Sequence, residues 1–191
     1  MATLDELILL MEPVSSDITS PPWGRAIAEV GFEFPDDYKA FVRIYGFGSI
    51  DDYLNLVPIY SRPVDLYSGF SGFVRRAEEI DLKSSGDDVW NGERLEFYPN
   101  PGGLVLWATD EAGNCYYWSR EGGHPNAWPV MLWVRASAEW HRHDGGMVSC
   151  LVAILREEFP WDGFVLNPEP DWEHARTSPV WEFYGDWREC P

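Results

Sequence analysis

His141 and His143, separated by Arg142 and followed by Asp144, form the best metal-ligand pattern in this chain. Alternate residues of a strand share a face, so the two imidazoles would point the same way, and His-x-His is a real ligand spacing. A third ligand has to come from afar, with His124 and Asp144 the nearest in kind. Completed, such a set would support a metal-dependent hydrolase; incomplete, it reads as a solvated strand end. Asp51-Asp52 and Asp87-Asp88 are paired carboxylates. Close carboxylates can share a proton and do acid–base work. Neighbours on a loop point apart, however, which suits contact with a basic partner better. Cys115 would be a nucleophile beside a His and a base, but its apolar strand setting reads as a buried, inert thiol. Ser119 and Ser137 lack a nucleophile-elbow context. Gly122-Gly123-His124-Pro125 and Pro101-Gly102-Gly103 lack the Lys-Ser/Thr of a phosphate loop and read as turns. No catalytic set is complete, and no cofactor is implied.

The elements that must position these groups are legible in part. Leu104, Leu106 and Ala108 alternate with Val105, Trp107 and Thr109, so both faces of this strand are apolar. Asp110 to Asn114 is turn chemistry, with Gly113 and Asn114 tolerant of positive φ. Cys115 to Trp118 returns as an aromatic strand. Further strands are expected at 54–59, 93–98, 130–135 and 139–142, with a polar loop at 83–91. Leu4, Leu7, Ile8 and Met11 mark a short helix capped by Thr3. Trp23, Ile27 and Val30 mark a second, stopped by Gly31. Tyr38, Phe41, Val42 and Tyr45 mark the clearest one, opened by Pro35, Asp36 and Asp37 and closed by Gly46. Phe70, Phe73, Val74 and Ala77 suggest a helix ending near Ile80, and Val148 to Phe159 a closing helix. Helices, then antiparallel strands, then a helix is an α+β pattern: an antiparallel sheet flanked by helices.

Composition narrows the function. The 191 residues carry 32 acids against 14 bases, a formal charge of −18. That argues against nucleic acid and against anionic membranes, and favours a cationic protein partner steered in by the field. Three widely spaced cysteines, Cys115, Cys150 and Cys190, fit a reducing cytosol. The start shows no secretory pattern, and no apolar run has membrane-spanning length, so a cytoplasmic protein is expected. Eleven tryptophans exceed what a core of this size needs, so some are expected at a contact surface. Trp107, Tyr117 and Trp118 are the candidates there, with Asp110 beside them and Asp51, Asp52, Asp87 and Asp88 as contacts for a basic surface. Residues 1–19 read as a helix and linker, 20–159 as one domain. The acidic, Trp- and Pro-rich residues 160–191 read as an irregular tail packed back on that domain.

The segment from Phe34 through Pro35, Tyr38 and Phe41 resembles the helix opening of the SMI1/KNR4 (SUKH) superfamily. Gly46-Phe47-Gly48 sits where that family has a Gly-rich turn. Gly103 to Asp110, Gly113 and Tyr117-Trp118 resemble its central strand pair, and Trp128-Pro129-Val130 its next strand. Phe47 departs from the small or polar residue found there in many members. The resemblance covers residues 20–157. It implies an α+β domain that binds rather than catalyses: in bacteria often an immunity protein that occludes a nuclease-like toxin, in fungi a regulatory adaptor.

Overall fold

A computed structural model describes residues 2–13, 18–57, 88–159 and 179–185. The expected helix near 70–80, Asp87, Cys190 and most of the 160–191 tail lie outside these residues. Local signals start and stop the helices. In α1 (Leu4–Leu10) the Thr3 hydroxyl accepts the Glu6 N–H while the Glu6 carboxylate takes the Thr3 N–H at 2.7 Å, a reciprocal capping box. In α2 (Trp23–Val30) and α3 (Asp36–Tyr45), Gly31 and Gly46 close the last turn with φ of 78° and 69°. The start of α3 is tied to a 3₁₀ turn at Pro125–Ala127. There the Asn126 side chain accepts the Asp36 N–H and donates to the Asp36 carboxylate, both at 2.7 Å. The closing helix, α4 (Met147–Leu155), is apolar nearly all round and buried against α1 and α3. Its N-cap, Gly146, offers no side chain. Asp37 of α3 supplies one instead, accepting the Val148 N–H at 3.1 Å.

The described residues hold nine strands in chain order: β1 (Phe47–Ile50), β2 (Leu54–Leu56), β3 (Val89–Trp90), β4 (Glu93–Arg94), β5 (Val105–Asp110), β6 (Cys115–Trp118), β7 (Val130–Val134), β8 (Glu139–His143) and β9 (Trp181–Gly185). Seven of them form one antiparallel sheet, in the order β8-β7-β6-β5-β2-β1-β9, and β3 and β4 form a separate hairpin. The protein is therefore α+β. Four strands differ from expectation. Trp181–Gly185, within the segment expected to be irregular, forms β9, because it pairs with β1. The strand expected at 93–98 is only Glu93–Arg94. Phe47 and Gly48, expected in a Gly-rich turn, instead open β1, because β2 and β9 pair with that strand on either side. Val89-Trp90, placed in a polar loop, pairs with Glu93-Arg94.

Both faces of the sheet are covered. On one, Trp118 meets Tyr38 of α3 edge-on at 4.8 Å. On the other, Tyr117 meets Phe97 at 5.7 Å and Trp140 at 5.5 Å. The simple alternation of β5 breaks just after Trp107. The β5–β6 register pairs Leu106 with Tyr117 and Ala108 with Tyr116, leaving Trp107 as the extra residue of a bulge. Its ring lies on the helix side with Val105, the partner of Trp118, and stacks on Trp118 at 6.2 Å; the shift turns Ala108 to that side as well.

Candidate functional site

The turn residues at one end of the sheet bring carboxylates together. Asp51 and Asp52, between β1 and β2, both hold left-handed backbone, with φ of 52° and 50°. That region penalises most side chains and is tolerated best by Asn and Asp. Hydrogen bonds hold the turn in place: the Tyr53 N–H donates to the Ile50 carbonyl at 2.9 Å, and the Tyr53 carbonyl accepts the Glu111 N–H at 3.0 Å. The second bond sets the β5–β6 turn beside the first. There the Glu111 carboxylate accepts the Asn55 side-chain amide at 3.3 Å. β9 adds a fourth carboxylate. Glu182 accepts the Ser49 hydroxyl at 3.0 Å and the Asp52 N–H at 2.6 Å. Burial, and next the hydrogen bond shared with the Asp52 carboxyl, push the Glu182 carboxyl above its ordinary range. Asp52 and Glu111 are exposed, and Asp51 and Glu182 partly so.

The predicted contact residues divide. Asp51 and Asp52 belong to this acidic end. Asp88 opens the β3–β4 hairpin instead; burial raises its carboxyl, and the charge of Arg94 acts against that. Trp107, Tyr117 and Trp118 are at most 4% exposed and serve the core, so none of them offers a surface in this fold. Of the described tryptophans, Trp23 and Trp90 are half-buried and the rest are buried. Asp110 is also buried. It accepts the Asn114 N–H and side-chain amide, each at 2.9 Å, and the Tyr116 hydroxyl at 3.0 Å. Asn114 in turn accepts the Arg135 N–H at 2.9 Å, which locks the β5–β6 turn to the end of β7. Glu111 and Glu182 were not singled out from the sequence. Glu111 adjoins Asp110 in an obvious turn, a usable signal. Nothing local marks Glu182.

The histidines are engaged otherwise. His143 Nε2 lies 3.0 Å from the Ser149 hydroxyl of α4, and its ring stacks on Phe159 at 5.9 Å. His141 Nε2 lies 3.9 Å from Glu139. Burial lowers the pKa of both rings. Among the described residues, no three His, Cys, Asp or Glu side chains gather as a metal would require. Burial pushes the Cys115 thiol up to about 11, where the thiolate that nucleophilic attack needs is scarce at neutral pH.

Several described cations are already paired with the protein's own carboxylates. Arg142 holds Glu121 and Asp144 at 2.6 Å each, and Lys39 holds Glu33 and Asp36 at 2.8 Å each. Among the described residues, no helix is long and apolar enough to cross a membrane. No family model, curated protein or solved structure matches the chain.

Proposed function

We propose that this chain is a binding protein of the SMI1/KNR4 type, an immunity protein that occludes a cationic, nuclease-like toxin in the bacterial cytoplasm. One observation carries the reading. Hydrogen-bonded turns gather Asp51, Asp52, Glu111 and Glu182 at one end of the sheet, in a chain of formal charge −18. A substrate groove built to bind phosphates is cationic, and a surface of the opposite sign both steers toward it and fills it. The element order, helices then antiparallel strands then a helix, supports the family resemblance. In this mechanism the exposed carboxylates set the association rate, and apolar contacts made after docking set the dissociation rate.

The experiment is the association rate with a basic toxin encoded beside this gene. Raising salt from about 0.1 M to about 1 M shrinks the screening length from about 10 Å to about 3 Å. Electrostatic steering accelerates association by about 10 to 10³-fold, so the rate is expected to fall by about tenfold or more. Asp52→Asn with Glu111→Gln is expected to remove part of that salt dependence. A rate indifferent to salt removes the steering mechanism.

A further inference from the structure

The β3–β4 hairpin presents Asn91 and Gly92 to solvent. Its strands pair Val89 with Arg94 and Trp90 with Glu93, and one further bond closes the ladder, from the Leu95 N–H to the Asp88 carbonyl at 2.7 Å. Asn91 and Gly92 both hold left-handed backbone, with φ of 51° and 83°, as a two-residue hairpin turn requires. Both are exposed, as are Glu93 and Arg94 after them. Among the described residues, nothing lies within 4 Å of where a Cβ on Gly92 would stand, so the turn is clear of the rest of the protein.

This is the single Asn-Gly pair of the chain. A backbone nitrogen can attack the side-chain carbonyl of the asparagine before it when that side chain is free to turn and no Cβ crowds the nitrogen. The other described asparagines fail both conditions. The Asn55 amide is held by the Tyr53 carbonyl and Glu111, Asn100 by Glu96, Asn114 by Asp110 and Asn126 by Asp36. Leu56, Pro101, Cys115 and Ala127 follow them, each with a Cβ, and the Pro101 nitrogen carries no proton. The Asn91 side chain makes no hydrogen bond among the described residues. An isolated two-stranded hairpin is marginal, so this turn opens at little cost.

We propose that Asn91 is a self-modification site, converted in the folded protein to aspartate and isoaspartate through a cyclic imide with Gly92. The Gly92 nitrogen gives up its proton and bonds to the Asn91 side-chain carbonyl carbon. The carbon–nitrogen bond of the amide breaks, and its nitrogen leaves with that proton as ammonia. Water then opens the imide. Attack at the side-chain carbonyl yields aspartate, and attack at the main-chain carbonyl yields isoaspartate. One water is consumed, one ammonia is released and nothing is oxidised or reduced. Each product adds a negative charge, and isoaspartate also adds a methylene to the main chain, which breaks the pairing of Trp90 with Glu93.

The full-length protein and a free peptide of residues 88–95 are incubated side by side at mildly alkaline pH and body temperature. Mass spectrometry of proteolytic fragments locates the lost amide, and chromatography against synthetic standards separates the two isomers. Both isomers are expected at Asn91, at a rate within about tenfold of the free peptide's, because local opening of so short a hairpin costs little. Asn55, Asn100, Asn114 and Asn126 are expected to keep their amides over the same period. Asn91→Gly, which suits the left-handed turn, is expected to abolish the accompanying acidic shift on ion exchange while circular dichroism stays that of the parent. Slower conversion at Asn91, aspartate without isoaspartate, or equal conversion at the other four asparagines overturns the proposal.

Discussion

At Asp110 a partner contact and a structural carboxylate lead to opposite experimental outcomes. The side chain is 6% exposed and receives three donors: the Asn114 N–H, the Asn114 amide and the Tyr116 hydroxyl. Asp110→Ala leaves all three without this acceptor. A hydrogen bond to a charged group contributes about 1.5–3 kcal/mol. The three share one carboxylate and act as a unit, so their contributions do not add. Burial opposes them, since desolvation is the largest influence on this carboxyl and raises its pKa. The net loss on substitution is about 3 kcal/mol, the value of one or two such bonds. At about 2–4 °C per kcal/mol for a chain of this size, the melting temperature falls by about 6–12 °C. Asp110→Asn recovers only part of this, because one acceptor becomes a donor among donors. Thermal unfolding followed by near-ultraviolet circular dichroism is the assay. Glu111→Ala, one residue on and exposed, is the control: it changes stability by less than about 0.5 kcal/mol and slows association with a basic partner. An Asp110→Ala melting temperature within about 2 °C of the parent would refute the structural reading.

Asp37→Ala removes the acceptor at the start of α4 and is expected to cost about 1–2 kcal/mol, read as a lower urea midpoint at unchanged slope. Asp37→Asn, which keeps an acceptor, costs less, and Gly146→Ala is expected to be destabilising because its Cβ would strike the Asp37 carboxylate. Burial holds His143 below its ordinary value of 6.5, so the fold favours the neutral ring. The stability this contributes is present above that value and lost as pH falls through it. The margin of the parent over His143→Gln, measured by urea unfolding, is therefore expected to narrow from about pH 8 to about pH 5.5. A margin that widens with acid would show that the charged ring is the stabilised form.

The parts of this protein legible in its sequence are those whose signals are local. Pro35, Asp36, Asp37 and Gly46 bracket α3 within a residue of where it lies, because capping, dipole and left-handed closure are decided over a single turn. The β5–β6 hairpin and α4 follow likewise from turn chemistry and from an apolar run interrupted only by Ser149. The α+β class follows from the order of these pieces.

Tertiary structure decided the rest, where a residue's role depends on a neighbour distant in sequence. β1 is a strand because β9, some 130 residues further on, pairs with it, and Gly48 is needed for the close approach of that strand rather than for a turn. The bulge at Trp107 shifts the alternation by one residue, and that shift turns Ala108, rather than Thr109, to the face that carries Trp107 and Trp118. Whether Tyr117 and Trp118 are core or contact depends on what covers each face, and both faces are covered. The acidic character is a property of composition alone. Its gathering of Asp51, Asp52, Glu111 and Glu182 at one end of the sheet is not, because hydrogen bonds between segments far apart in the chain set that arrangement.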